Sequence, residues 1–163
     1  HCIQAPRGAT ISTRFHDRDW MRGAFRKFAA IEAAGPRCLI HGDTHLGNLY
    51  LTAGGQPGFL DAQVGRSHWS FEVAYHIVCA CDVADRPHWE HELLRIYLDA
   101  MAIHGIAMPG LDEALAAYAR AIGYGLFIFL INETRFQTEA VNTAYAARFG
   151  AAALAHGTLE LLQ

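Results

Sequence analysis

The chain has 163 residues, 52% hydrophobic and 18% charged, and its 13 Lys and Arg against 16 Asp and Glu give a formal net charge of -3. Material on this scale makes one folded domain that buries roughly 70% of its unfolded surface without disulfide or metal staples, which excludes disordered, collagenous and low-complexity classes. The basic residues are scattered along the sequence, so no Lys/Arg stripe suited to nucleic acid or an anionic membrane is expected.

The first dozen residues carry no period and read as a linker or cut end. Asp17 then caps an amphipathic helix to Ala34, in which Trp20, Ala24, Phe28 and Ile31 recur at spacings of three and four before Gly35-Pro36 stops the pattern. Between Arg37 and Gly65 the texture changes to short strands at Cys38-Leu39-Ile40, Leu49-Tyr50-Leu51 and Phe59-Leu60, divided by Gly-rich punctuation. Helices follow at about 70–83, 87–104, 111–131, 133–149 and 151–162, with Ser70 as the cap of the first, Pro87 in the first turn of the second and Gly105 at its end.

The longest apolar run, Ala121 to Ile131, is shorter than the roughly 20 residues that cross a bilayer and reads as buried core. Cys2, Cys38, Cys79 and Cys81 lack metal or redox spacing and read as plain thiols of a reducing compartment. No charged leader precedes an apolar stretch, so a cytoplasmic location is expected. The fold class is α+β and mainly helical, a single domain over residues 1–163 with a small β-element on a helical body.

The chemistry concentrates in His41-Gly42-Asp43-Thr44-His45-Leu46-Gly47-Asn48 and, beyond the next strand, Asp61-Ala62-Gln63. A two-residue turn at Gly54-Gly55 sets Asn48 opposite Asp61 across a hairpin, bringing an amide oxygen and a carboxylate to its open end. Both are hard oxygen ligands suited to Mg²⁺. Asp43, at the exit of the preceding strand, reaches a substrate hydroxyl close to that pair, which is the layout of a phosphoryl-transfer centre.

H-G-D-x-x-x-x-N followed thirteen residues later by Asp resembles the C-terminal lobe of the aminoglycoside phosphotransferase and choline kinase-like family. Asp61-Ala62-Gln63 with Arg66 is most similar to its ecdysteroid kinase-like branch. The resemblance, which covers about Arg37 to Val78, implies a protein kinase-like lobe that transfers the γ-phosphate of ATP to a hydroxyl of a small molecule. It implies Asp43 as catalytic base, Asn48 and Asp61 as ligands of Mg²⁺ and of the nucleotide bound through it, and His41, His45, Gln63 and Glu72 in support.

Two positions depart from the family pattern. Glu72-Val73-Ala74-Tyr75 puts the longer Glu where the family has Asp. No Gly-rich phosphate loop is present, and the only lysine, Lys27, lies on the first amphipathic helix. With the first residue His rather than Met, the expectation is a lobe of a longer enzyme whose N-terminal nucleotide-binding lobe lies outside this chain and is its partner. Such a lobe is expected to be inactive alone.

Two other functions fit some of the same residues. A metal-dependent phosphoesterase would use His41, Asp43, His45 and Asp61 around Zn²⁺ or Mn²⁺, and a non-catalytic module would bind without turnover. Structural readings also stand beside each residue: Asx turns for Asp43, Asn48 and Asp61, packing for His41, loop support for His45, a backbone-bonding amide for Gln63, and a helix-dipole partner for Glu72. The run from Tyr124 to Ile131 reads as core, with the lining of an apolar substrate pocket as the other reading, and Asp82, Asp85, Glu90 and Glu92 read as a solvated face or as a patch for a cationic substrate.

Overall fold

A computed structural model describes residues 2–162 of the chain, with side chains from residue 3 onward. It has seven α-helices and four short strands among the described residues. The N-terminal residues are not a linker. They form helix α1 (Pro6–Ala9) between two 3-10 turns, Cys2–Gln4 and Thr13–His16, and they bury Ile11 and Phe15 in the core. Arg7 is also buried: its guanidinium donates to the carbonyls of Phe129 (2.8 Å) and Asn132 (2.6 Å) and to the Glu139 carboxylate. A lack of period in the sequence hides this, because one charged anchor needs no repeat to hold a segment down.

Helix α2 (Arg18–Ala34) starts where its cap predicts, with the Asp17 carboxylate accepting from the backbone of Asp19 and Trp20 at 2.9 Å. Strand β1 (Cys38–Ile40) follows. Strands β2 (Leu49–Leu51) and β3 (Pro57–Phe59) form the hairpin, and β4 (Gly65–Ser67) returns antiparallel to β1. The hairpin register differs from the expected one by a residue: Leu49 pairs with Phe59, and the Leu60 amide donates to the Asn48 carbonyl. Asn48 therefore faces Leu60, not Asp61. The turn holds three residues, Ala53, Gly54 and Gly55, closed by Gly55 N–H to the Thr52 carbonyl. Gly55 takes φ +77°, the left-handed residue that follows a type I turn in such loops.

Helix α3 (Trp69–Ala80) is capped by His68 rather than Ser70. Its Nδ1 accepts from the Ser70 hydroxyl at 2.8 Å, and burial, then the charge of Arg120, lower its pKa, so the ring stays neutral and able to accept. Helix α4 (Arg86–Ile103) has Pro87 in its first turn, and Gly105 beyond it takes φ +74°. Helix α5 (Leu111–Ile131) is the central element. Its 21 residues are long and apolar enough to cross a membrane by composition, but most of that stretch is packed inside the protein, with α2, α3 and α6 around it.

The last two helices divide elsewhere than expected. Residues 132–138 form a loop, and Thr138 caps helix α6 (Glu139–Ala155), which runs through Gly150. That glycine is no breaker; it makes room for Ile11, which a Cβ would strike. Gly157, left-handed at φ +60°, ends the helix before α7 (Thr158–Leu161).

Candidate functional site

One face of α3 holds the 41–48 loop. Glu72, Tyr75 and His76 stand at i, i+3 and i+4 and grip three consecutive residues. Glu72 accepts the Gly42 N–H and the Thr44 hydroxyl, each at 2.9 Å. Tyr75 donates its phenol to Asp43 Oδ1 at 3.0 Å. The Nδ1 of His76 lies 2.9 Å from the Thr44 carbonyl, which makes it the protonated nitrogen. The longer Glu thus reaches both of its loop donors. Gly42 has φ +86°, and a Cβ there would run into the Gln63 carbonyl, so only glycine lets the loop pass that close.

Asn48 completes the loop from the other side. Its amide nitrogen donates to the Asp43 carbonyl (2.9 Å) and to Asp43 Oδ2 (3.1 Å), and its Oδ1 has no partner among the described residues. Asp61, just past β3, sits at φ +56°, a left-handed position that Asp tolerates, and its carboxylate has no partner among the described residues. Asp43, Asn48 and Asp61 line one cavity of about 620 Å³, with Gln63, Tyr75, Tyr124, Phe129 and Gln137 among its walls. The juxtaposition expected across the hairpin is reached by a different route, with Asp61 one residue beyond the pair and turned by its own backbone.

The supporting histidines are committed to protein. His41 Nδ1 accepts from Asp43 N–H at 3.3 Å while its Nε2 meets the Leu60 carbonyl at 3.1 Å. His45 Nδ1 accepts from Gly47 N–H at 3.0 Å, which places its proton on Nε2, and that nitrogen faces the Gln137 amide at 2.9 Å. In the structure the Gln137 nitrogen faces that donor and its Oε1 is the buried atom without a partner, and a half-turn of the amide would set the oxygen against His45 and resolve both. With both rings engaged, the four-ligand phosphoesterase centre loses its imidazoles. Among the described residues no group of three or more His, Cys, Asp or Glu gathers to hold a metal.

Burial, then the charges and hydrogen bond around it, pushes the Tyr75 phenol far above its ordinary range, so it remains a donor to Asp43. Tyr124 is raised as well, by burial first and then by Asp43 and Glu72. The donor set suits a hard cation: the Asn48 amide oxygen and the Asp61 carboxylate are open on the cavity that Asp43 lines, whereas an unused oxygen buried by chance would be orphaned. Those residues fit Mg²⁺.

Tyr75, His76 and Gln137 were not singled out by sequence. The first two share the helical face of Glu72, a spacing that could have pointed to them. Gln137 lies 92 residues from His45 and carries no signal. Of the four acids read as a solvated face or a cationic-substrate patch, Asp82, Asp85 and Glu92 are exposed, with Asp82 paired to Arg148, whereas Glu90 is buried against Arg86. Cys38, Cys79 and Cys81 are free thiols raised by burial, and Cys2 lies outside the described side chains.

Comparison with known proteins adds one finding. No curated protein and no solved structure matches the chain. A family model described as the phosphotransferase enzyme family (APH) matches residues 12–113, which takes in α2, all four strands, α3 and α4. With more than half of its length matched and the loop, amide and carboxylates gathered on one cavity, the chain belongs to the phosphotransferase enzyme family.

Proposed function

We propose that this chain is the catalytic lobe of a small-molecule kinase that transfers the γ-phosphate of ATP to a hydroxyl, within the ecdysteroid kinase-like branch. The observation that carries the reading is the open oxygen pair, Asn48 Oδ1 and the Asp61 carboxylate, on the same cavity as an Asp43 held at both carboxylate oxygens. Asp43 Oδ1 is fixed by Tyr75 and Oδ2 by Asn48, which aims the carboxylate at an acceptor hydroxyl and orients or takes its proton. Asn48 and Asp61 would hold Mg²⁺, which would supply neutralising charge to the nucleotide phosphates. Glu72 and His76 keep the loop from shifting, and a shift of about 1 Å costs such a site on the order of 10²-fold in rate.

The rest of that cavity's wall includes Tyr124, Ile128, Phe129, Asn132, Phe136 and Gln137, and it receives the acceptor. Tyr50, Leu51, Phe59 and Leu60 leave large apolar side chains exposed on the hairpin. The hairpin, apolar on both sides, seats a nucleotide-binding lobe, the partner that supplies the phosphate loop and lysine. The test compares ATP turnover against a panel of hydroxyl acceptors for residues 1–163 and for a longer protein that includes that lobe. Turnover only in the longer protein is the expected outcome, and robust turnover by residues 1–163 alone would overturn the two-lobe reading.

A further inference from the structure

A second cavity, about 1110 Å³, lies between α2 and the last turns of α5, away from the catalytic loop. Its floor is apolar, with Met21 and Phe25 from α2 facing Phe127, Leu130 and Ile131 from α5. Phe25 meets Phe127 edge to face at 5.3 Å, yet Phe25 is 44% and Ile131 66% exposed. One rim of this groove is cationic. Arg18, Arg22 and Arg26 line it at i, i+4 and i+8, one turn apart on α2, so this helix carries a short basic row where the sequence reading expected none.

Like charges one turn apart repel, and the row is answered by one acid. Asp19 pairs with Arg22 at 3.3 Å, while Arg18 and Arg26 have no hydrogen-bond or ion-pair partner among the described residues. The other polar groups there are Gln4 and His16, and His16 is engaged by the Gly8 carbonyl at 3.0 Å. An apolar ligand would leave the guanidiniums unanswered, and a small anion would leave the floor wet. A ligand with both parts answers both.

We propose that this groove binds an anionic amphiphile, with its aliphatic chain along Phe25, Phe127, Leu130 and Ile131 and its carboxylate or phosphate on the arginine row. Neighbouring arginines stand about 6 Å apart along the helix axis, close enough to share one headgroup, and the planar guanidinium suits either oxyanion. The site is independent of phosphotransfer, so its test reads binding alone.

Isothermal titration of residues 1–163 with sodium decanoate, decyl phosphate and 1-decanol, each below its aggregation limit, separates the contributions. Both anions should bind about tenfold or more tightly than decanol, and the tighter of the two identifies the headgroup. Arg22→Gln with Arg26→Gln should weaken decanoate by about tenfold and leave decanol unchanged. Ile131→Glu, at an exposed floor position, should abolish decanoate binding with the melting temperature held. Arg95→Gln, on α4, serves as the control for general charge. Equal binding of decanol and decanoate, no binding of either anion, or the same loss in Arg95→Gln as in the double variant overturns the proposal.

Discussion

Glu72 and Glu90 are both helix glutamates drawn into polar clusters, and the two clusters end in opposite states. Around Glu90, Arg86 from one turn earlier, the Tyr118 hydroxyl (3.1 Å) and His156 (3.0 Å) close on the carboxylate. Both members of the ion pair are nearly sealed, at 3% and 6% side-chain exposure. Around Glu72 the side chains hold backbone and loop instead, and the oxygens of Asn48 and Asp61 stay open on a cavity. A carboxylate neutralised by its own neighbours contributes to the fold, whereas a cluster that fixes a loop and leaves acceptors unfilled is prepared for a ligand.

The sharpest way to break this contrast is at Asp43. In the active enzyme Asp43→Asn keeps the size of the side chain and should lower the acceptor-dependent rate by roughly 10²–10⁴-fold with Mg²⁺-ATP affinity retained, at a stability cost no larger than the one hydrogen bond that the amide cannot accept from Tyr75 or Asn48. A proportional loss of both rate and nucleotide affinity refutes the role given to Asp43. Asp61→Ala should abolish turnover across a Mg²⁺ titration, and Asn48→Ala should act in the same direction but less, because it removes a neutral ligand. Wild-type rates in both would remove the metal role.

At the other cluster the loss should be of stability alone. Glu90→Ala strands the buried Arg86 charge and should cost about 3–5 kcal/mol in urea unfolding of residues 1–163. A change below about 1 kcal/mol would mean that the cluster relaxes as a surface pair does.

Acid titration sharpens the same point. Burial pushes the Glu90 carboxyl up, but the His156 and Arg86 hydrogen bonds and charges outweigh it and hold it below the usual carboxylate range. A depressed carboxyl adds stability that is present above its unfolded pKa and lost as pH falls through the folded one. The urea midpoint should therefore decline below about pH 4.3. Glu139, lowered chiefly by its Arg7 hydrogen bond, has the same sign. The acid decline should be shallower in Glu90→Gln; an unchanged slope would place the acid sensitivity elsewhere.

The smallest expected effect is at Tyr75. Tyr75→Phe removes one hydrogen bond to Asp43 and should cost about 1–2 kcal/mol in the transition state, read as a fall in kcat at constant KM. A KM effect without a kcat effect would mean that Tyr75 shapes the acceptor wall and does not position the carboxylate.

Much of this was legible from residue order. The Asp17 cap and the three-to-four spacing to Ile31 specify α2, because caps and amphipathic periods act within a turn or two. Asp43, Asn48 and Asp61 reach one cavity as the spacing suggested. The hairpin register was misjudged because Gly54-Gly55 allows a two- or three-residue turn, and closure of the loop at Thr52 and Gln56 selects the longer. Gly150 and Gly157 are alike in sequence; the packing of Ile11 makes one a helix residue, and the left-handed backbone makes the other a stop.

Sequence by itself determined the helical body, the short strands and the chemical types at the candidate site, since these depend on local period, turn chemistry and residue identity. Tertiary structure alone decided that Arg7 anchors the N-terminal segment to the end of α5, that Gln137 meets His45, that His156 and Tyr118 close on the Arg86–Glu90 pair, and that the arginine row of α2 edges an apolar groove. Each of these joins side chains on different elements or sets them around a shared cavity. Residue order cannot specify such meetings, because they depend on how amphipathic faces pack around α5, and a single long-range hydrogen bond or ion pair leaves no repeat to read.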